Sequence, residues 1–380
     1  MTAPVLSLVI PCYNEERTLQ SCVGRVLEIA SADLGLEVII VDDCSKDRSG
    51  EIADALAHHH PGVVKAYHHE VNRGKGAALH TGFRHATGDF VGVQDADLEY
   101  DPHDLLRLVE PLRNDVADVV FGSRFLSSGS HRVLYFWHSL GNRFLTLLSN
   151  MLTDLNLTDM ETCYKLFKRE IIQFLELHEE QFGFEPEVVA QVAQLRVRIY
   201  EIGISYFGRT YAEGKKIGIK DCFRALYCIL RYNLPKAPLP IQFLFYLFVG
   251  GIAAAVNLSL FLIVYGAGLD VIPAAAVAFL TAAMVNYALS VALLFRKNAR
   301  WASPLEYLFY AAVVAVMALF DAYATKALVL TGFTPLGAKT IATMVGLLFN
   351  FLGRKYLVFY EPVSPDWQPQ GHNRAPSIRP

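Results

Sequence analysis

Charge nearly disappears from this chain after Pro240. Residues 1–240 hold 57 of the 71 Asp, Glu, Lys and Arg side chains, and residues 241–360 hold only ten. Four apolar stretches fill the second segment, at 242–265, 272–295, 305–330 and 336–359. Each reaches the ~20 residues that a helix needs to cross the hydrocarbon core of a bilayer. The pattern predicts a soluble front half and a membrane-embedded rear. Basic residues follow the second stretch (Arg296, Lys297, Arg300) and close the fourth (Arg354, Lys355), while the opposite connections carry only Asp270. The positive-inside bias therefore predicts a multi-pass protein with both termini in the cytoplasm. A net charge of −3 gives none of the basic footprint that nucleic-acid binding requires. The six cysteines are scattered without a Cys-x-x-Cys pair and read as reduced thiols. The opening MTAPVLSLVIPCYNEE lacks a basic n-region and a long apolar h-region, so no signal peptide is expected and the run reads as a strand.

The rear half reads as a duplication. Asn257 and Asp321 occupy the first and third stretches, Asn286 and Asn350 the second and fourth, at a common spacing of 64 residues. VNYALSVALLF and FNFLGRKYLVF resemble copies of one helical segment, which makes this a parallel repeat. Asn257, Asn286, Asp321, Lys326 and Asn350 are expected to face the bundle interior, because polar groups at membrane depth are costly. Interhelical hydrogen bonding is the plainer reason for them; a polar path for a lipid headgroup is the sharper one. Between the halves, 221–233 (DCFRALYCILRYN) is basic and amphipathic, as a helix lying on a membrane surface would be. The segment 143–152 is a second candidate for membrane contact. The expected organisation is a domain at 1–220, an interface helix and Pro-rich linker at 221–240, four spans at 241–360 and a disordered tail at 361–380.

In the front half, short β-rich runs at 6–10, 38–41, 63–67, 90–93 and 119–121 alternate with helical patterns at 18–30, 49–59, 74–86 and 102–113. That alternation predicts a parallel sheet covered on both faces, with ligands at the carboxyl ends of the strands. The polar clusters fall there: 11–16 after the first strand, 42–47 after the second, 94–99 after the fourth. No G-x-G-x-x-G or P-loop follows the first strand. Asn72-Arg73-Gly74-Lys75-Gly76 is basic and glycine-containing but opens the third helix instead.

Asp95-Ala96-Asp97 sits at a strand end, where two carboxylates can hold a hard divalent cation together with substrate phosphates; Glu99 is near enough to add an oxygen or steer a water. With Asp42-Asp43 and the separated cations Arg124, Arg209, Lys215 and Lys216, the set suits a diphosphate substrate bound through a metal. His58-His59-His60 and His68-His69 lack ligand-like spacing and are expected in solvated loops.

The segments VIPCYNEE (9–16), VDDCSKD (41–47), NRGKGAAL (72–79), GDFVGVQDADLEYDP (88–102), VFGSRF (120–125), DMETCYKLFKR (159–169) and RTYAEGKKIG (209–218) resemble family 2 glycosyltransferases of the dolichyl-phosphate mannose synthase and polyprenyl-phosphate glucosyltransferase type. Residues 243–360 resemble the GtrA-like four-helix membrane domain. The resemblance implies an α/β GT-A domain with a mostly parallel sheet, followed by an all-α domain of four transmembrane helices. It implies Pro11, Tyr13, Glu15, Asp42, Asp43, Lys75, Asp95, Ala96, Asp97, Arg209 and Lys215 at the nucleotide-sugar. Mg²⁺ or Mn²⁺ would lie on Asp95, Asp97 and Glu99. Asp97, Arg124 and Asp159 would be catalytic, and Arg124, Arg132 and Lys215 would take the acceptor phosphate. The family's second acceptor cation falls near His138, with Arg132 or Arg143 as substitutes.

The reaction so implied is inverting transfer of a hexose, GDP-mannose before UDP-glucose, to a polyprenyl or dolichyl phosphate. The acceptor oxygen is already anionic, so no strong general base is needed, and metal and cation clamps stabilise the departing diphosphate. The expected partners are that donor, that acceptor and the lipid bilayer, with a homo-oligomer left open. A processive polysaccharide synthase is disfavoured because Trp137, Trp301 and Trp367 stand in no Q-x-x-R-W context. The alternative of another class is a lipid-linked-sugar flippase or scaffold with an inactive front domain.

Overall fold

The computed structural model describes residues 3–126, 135–208, 219–295 and 303–358. The chain divides into two compact units, Met1–Asn233 and Leu234–Pro380.

In the first unit the alternation of the sequence becomes a seven-stranded sheet. Its strands are β1 (Val5–Cys12), β2 (Gly35–Asp42), β3 (Val64–His68), β4 (Phe90–Val93), β5 (Val119–Ser123), β6 (Lys165–Lys168) and β7 (Ile199–Gly203), in the spatial order β3-β2-β1-β4-β6-β5-β7. β1 pairs in parallel with β2 and β4, β2 with β3, and β5 with β7, whereas β6 lies antiparallel between β4 and β5. The near-continuous burial of Leu6–Ile10 and Val38–Val41 is what a strand covered on both faces shows. The helices are α1 (Leu19–Leu27), α2 (Ser49–His59), α3 (Lys75–His85), α4 (Asp104–Arg113), α5 (Phe136–Thr153), α6 (Arg169–Phe174), α7 (Phe184–Leu195) and α8 (Ile219–Asn233).

The amphipathic segment α8 belongs to this unit. Arg224 pairs with Glu179, Tyr232 donates its hydroxyl to Glu179 Oε1 at 2.8 Å, and Ala190, Cys228 and Tyr232 form a buried cluster. Its outer face leaves Phe223 and Tyr227 exposed. On α5, Phe136, Leu140, Phe144, Leu147 and Met151 are exposed at spacings of three and four residues, a continuous apolar stripe along one side of the helix. All six cysteines are free thiols, four of them buried.

The second unit contains α9 (Leu239–Gly266), α10 (Val271–Leu289), α11 (Ser303–Leu330) and α12 (Pro335–Gly353); π-helical turns Ser290–Phe295 and Arg354–Val358 extend α10 and α12. Leu239–Gly266 and Val277–Leu294 are long and apolar enough to cross a membrane by length and composition. The helices form two hairpins, α9–α10 and α11–α12, which are the two copies of the repeat. Asn286 and Asn350 are half-buried as expected, but Lys326 is exposed. It stands about one turn from the end of α11, where a lysine can carry its ammonium to the interface along an apolar stem. The side chain of Asp321 and the tail 361–380 lie outside the described residues.

Candidate active site

β1, β2, β4 and β5 point the same way, so their carboxyl ends share one edge of the sheet. β6 runs oppositely and therefore begins at that edge, which delivers 159–165 to it. Pro11 and Cys12 end β1 opposite Val41 and Asp42. Tyr13 follows, 36% exposed. Asn14 takes a left-handed conformation (φ 56°) that lets its side-chain oxygen accept from Lys46 N at 2.8 Å, while its N–H donates to Ser45 Oγ at 3.0 Å. Glu15 N donates to Ser49 Oγ at 2.8 Å. The loops after β1 and β2 are thus stitched into one wall.

The paired aspartates after β2 divide their work. Asp42 accepts from Ser45 N at 3.3 Å and lies 3.4 Å from His68 Nδ1. Asp43 spends both oxygens internally: Oδ1 accepts from Arg73 N at 2.9 Å and contacts His69 Nδ1 at 2.7 Å, and Oδ2 accepts from Gly74 N at 2.7 Å. Asp43 therefore anchors the start of α3. The histidine expectation is corrected here, because His69 is no solvated residue. Its side chain is 9% exposed and its Nε2 reaches Thr81 Oγ1 at 2.9 Å, so the ring bridges Asp43 to α3. His68 lies between Asp42 and Asp54. The glycines of the Asn-Arg-Gly-Lys-Gly run answer to packing: a Cβ at Gly74 or Gly76 would collide with backbone at 179–181.

Lys75 reaches beneath the acidic turn, 3.0 Å from Asp95 Oδ1 and 3.1 Å from Glu185 Oε1. Burial works against its charge, but Asp95 and Glu185 overcome that and hold the ammonium charged well above the usual lysine range. Asp97 Oδ1 accepts from Glu99 N at 3.1 Å across Leu98, whose φ of 63° makes the turn sharp. Ala96 is buried. The Glu99 carboxylate accepts from the Tyr206 hydroxyl at 2.6 Å. Among the described residues no three His, Cys, Asp or Glu groups converge to enclose a metal ion, so Asp95, Asp97 and Glu99 form no closed cage. Two hard carboxylates at a strand end still fit Mg²⁺ or Mn²⁺ with the remaining positions filled by phosphate oxygens and water.

Arg124, just past β5, is 9% exposed and forked on Asp159: Nε to Oδ2 at 2.6 Å and Nη2 to Oδ1 at 2.7 Å. Asp159 also accepts from Arg124 N at 3.0 Å and from Asn142 Nδ2 at 3.0 Å, and no part of its side chain reaches solvent. The aspartate expected to be catalytic is fully buried here and anchors Arg124. The guanidinium lies 5.2 Å from the Tyr206 ring centroid and 5.9 Å from Phe125, and Arg143 covers Phe125 at 5.7 Å. Arg124 and Arg143 are therefore neighbours through one ring. Arg132, Arg209, Lys215 and Lys216 lie outside the described residues.

Two groups were not singled out from the sequence. Glu161 has a buried Oε1 without a hydrogen-bond partner, and burial, then Glu185, push its pKa up to about 8. Tyr206 joins Tyr100 and Tyr164 in an aromatic floor, with centroids 5.2 and 4.8 Å from that of Tyr100. Glu161 stood inside a quoted motif, but nothing local to it signals burial; Tyr206 carried no signal at all.

Residues 7–175 match the glycosyl transferase family 2 model, and residues 245–359 match the GtrA/DPMS transmembrane domain. The chain is 26% identical over 232 residues to a dolichol-phosphate mannosyltransferase of Pyrococcus furiosus, covering 60% of this chain and 64% of that one. It is 30% identical over 222 residues to an undecaprenyl-phosphate mannosyltransferase of Micrococcus luteus, covering 55% and 86%. A Pseudomonas aeruginosa undecaprenyl-phosphate 4-deoxy-4-formamido-L-arabinose transferase is 31% identical over 213 residues, covering 56% and 60%. The match thus spans under two thirds of the first and third of these relatives. Among solved structures, glucosyl-3-phosphoglycerate synthase from Mycobacterium tuberculosis aligns with a TM-score of 0.48 at 20% identity, over 62% of this chain and 80% of that one. The chain belongs to glycosyl transferase family 2, its GT-A-like domain followed by a GtrA/DPMS transmembrane domain.

Proposed function

We propose that this protein transfers a hexose from a nucleotide-diphospho-sugar to a polyprenyl phosphate in the membrane, with inversion at the anomeric carbon. The observation that carries the reading is the gathering, on one sheet edge, of the Asp95–Asp97 turn and the Arg124 fork. One arm suits a diphosphate held through a divalent cation, the other an anionic acceptor. The named activities of the three relatives, all transferases acting on a polyprenyl phosphate, support it.

Asp95 and Asp97 would hold Mg²⁺ or Mn²⁺, which supplies charge neutralisation for the leaving diphosphate. Pro11, Tyr13 and Glu15 would line the nucleotide, with Asp42 at the base or ribose. Lys75, 3.0 Å away, keeps the Asp95 carboxylate oriented. Arg124, with Nε and Nη2 committed to Asp159, offers Nη1 to the acceptor phosphate. A guanidinium fixed before the substrate arrives costs no reorganisation in the transition state. Arg143, on the far side of Phe125, is the second acceptor cation in this reading. The donor is GDP-mannose in preference to UDP-glucose, since two of the relatives are mannosyltransferases. The membrane unit makes four passes with both termini cytoplasmic, following the basic residues at 296–300 and 354–355. Domain limits at 1–220, 221–240, 241–360 and 361–380 are retained for function, with α8 as the element facing the bilayer surface.

The test is a donor screen in detergent, with polyprenyl phosphate, Mg²⁺ or Mn²⁺, and labelled GDP-mannose or UDP-glucose in parallel. Organic-phase label from GDP-mannose, removed by EDTA and absent in Asp97→Ala with an unchanged melting temperature, is the expected result. Equal turnover in Asp97→Ala would overturn the metal-bound diphosphate reading.

A further inference from the structure

On the reading that the site holds a metal-bound diphosphate and an acceptor phosphate, we propose that Tyr206 is a positioning residue shared by both arms: its hydroxyl fixes the Glu99 carboxylate of the acidic turn, and its ring fixes the guanidinium of Arg124. The sheet order leaves the two arms apart. β6 is inserted between β4 and β5, so the acidic turn after β4 and Arg124 after β5 are two strand spacings, about 10 Å, from each other. The backbone that carries Tyr206 is laid across that gap. β7 runs parallel to β5 with Gly203 opposite Ser123, so the chain leaves β7 at the edge where Arg124 follows β5. Ile204 N donates to Ser123 O at 3.0 Å, Ser205 N to Asp104 Oδ2 at 2.6 Å and Phe207 N to Glu99 O at 2.8 Å, while Tyr206 forms a β-bridge with Tyr100. Four residues thus pass from the end of β5 to the turn after β4.

The side chain is fixed as closely as its backbone. Tyr206 is 7% exposed. Its hydroxyl donates to Glu99 Oε2 at 2.6 Å, and its ring centroid lies 5.2 Å from Arg124 Cζ and 5.2 Å from the centroid of Tyr100. Tyr100 is itself held, since its hydroxyl accepts from Cys163 N at 3.3 Å just before β6. Gly208 leaves room for the Tyr206 ring: a Cβ there would stand 2.7 Å from Cε1 and 3.1 Å from the hydroxyl oxygen.

Each contact has a chemical use. Whether Glu99 gives an oxygen to a divalent cation or accepts from one of the cation's waters, its carboxylate must keep one orientation. A hydrogen bond from a neighbour that does not touch the ion is what fixes such a group. The face of an aromatic ring attracts a guanidinium, more so where water is excluded. Asp159 holds Nε and Nη2 of Arg124 by hydrogen bonds, and the Tyr206 ring lies against the same guanidinium. Phenylalanine in place of Tyr206 keeps the ring and loses the hydroxyl, and leucine loses both, so substitution separates the two uses.

The test uses the full chain in detergent. Calorimetry measures Mn²⁺ affinity in saturating GDP or UDP and, separately, affinity for farnesyl phosphate. Tyr206→Phe is expected to weaken Mn²⁺ on the order of tenfold and to leave farnesyl phosphate unchanged. Tyr206→Leu should weaken both. A tyrosine that serves stability alone would lower Tm and both affinities together in the two variants, and that pattern overturns the proposal. So does wild-type Mn²⁺ affinity in Tyr206→Phe. Glu99→Ala locates the hydroxyl's effect: adding Tyr206→Phe to it should weaken Mn²⁺ no further, and an additive loss refutes action through Glu99. If wild type binds no Mn²⁺ with either nucleotide, or no farnesyl phosphate, that arm of the sugar-transfer reading falls and the proposal falls with it. Binding of both that ignores Tyr206 overturns the proposal alone. If Tyr206→Leu fails to fold, Gly208→Ala takes its place, because the added Cβ displaces an intact ring. It should weaken both ligands, and unchanged farnesyl phosphate affinity there refutes the hold on Arg124.

Discussion

Removing the Asp159 carboxylate should injure both stability and turnover, and the structure sets the scale. Asp159 is completely buried and accepts four N–H donors, three from Arg124 and one from Asn142. In Asp159→Ala the guanidinium keeps its burial and loses its anion, a change that costs about 3–5 kcal/mol in comparable buried pairs. For a domain of this size each kcal/mol lowers Tm by about 2–4 °C, so the loss should be on the order of 10 °C. Asp159→Asn is no rescue, because either placement of its NH2 group points donors at donors. Melting of the full chain in detergent, followed by near-UV circular dichroism, reads the first effect. Sugar transfer measured well below the variant's own Tm reads the second. A fall in transfer there isolates the positioning of Arg124 from global unfolding. Asp54→Asn, which touches only the His68 pair from a side chain 67% exposed, serves as the control and should shift Tm by little. If Asp159→Asn melts and turns over like wild type, the argument that Asp159 holds Arg124 fails.

Further outcomes follow from other contacts. Glu161 has its pKa raised from 4.5 to about 8, so the folded state binds its proton more tightly than the unfolded chain. The stability linked to it is complete below about pH 4.5 and disappears as pH rises through 8; Tm against pH should fall less steeply over that window in Glu161→Gln, and parallel curves would refute the assignment. Gly76→Ala drives a Cβ into the Glu179 carbonyl and should cost several kcal/mol by clash or displaced backbone. Gly24→Ala, in an exposed position of α1 with nothing within 4 Å of the added carbon, should stabilise by about 0.5–1 kcal/mol. Chemical denaturation of the two variants side by side checks both signs.

The elements legible in the sequence were those whose period repeats. β1 to β5 and α1 to α4 lie where alternation placed them, and so do the four apolar helices, since burial on both faces leaves a continuous apolar run that needs no tertiary knowledge to see. β6 was missed because KLFK carries a lysine at each end and the first of them is wholly buried. The ammonium of Lys165 is satisfied by the carbonyls of Met160 at 2.8 Å and Thr162 at 2.6 Å and faces the Phe121 ring, a solution no local pattern announces. In the site, the acidic turn and Arg124 were visible from residue type and strand-end position. What each carboxylate does was not: Asp42 and Asp43 are adjacent letters, yet the second is consumed by His69 and by the backbone of Arg73 and Gly74 just ahead of α3. Asp159 and Arg124 are 35 residues apart, and only the antiparallel insertion of β6 brings their loops together.

The crossed asparagine–tyrosine contacts of the membrane unit bear on how the chain is made. Asn286 of the first hairpin finds its tyrosine on the second, and Tyr246 of the first is met by Asn350 of the second. When α9 and α10 have left the ribosome and α11 has not, their polar groups face hydrocarbon without those partners, and the hairpin is an unfinished half. Completion waits for translation of some 64 further residues. The polar contacts that close the membrane unit therefore form only once both hairpins are present.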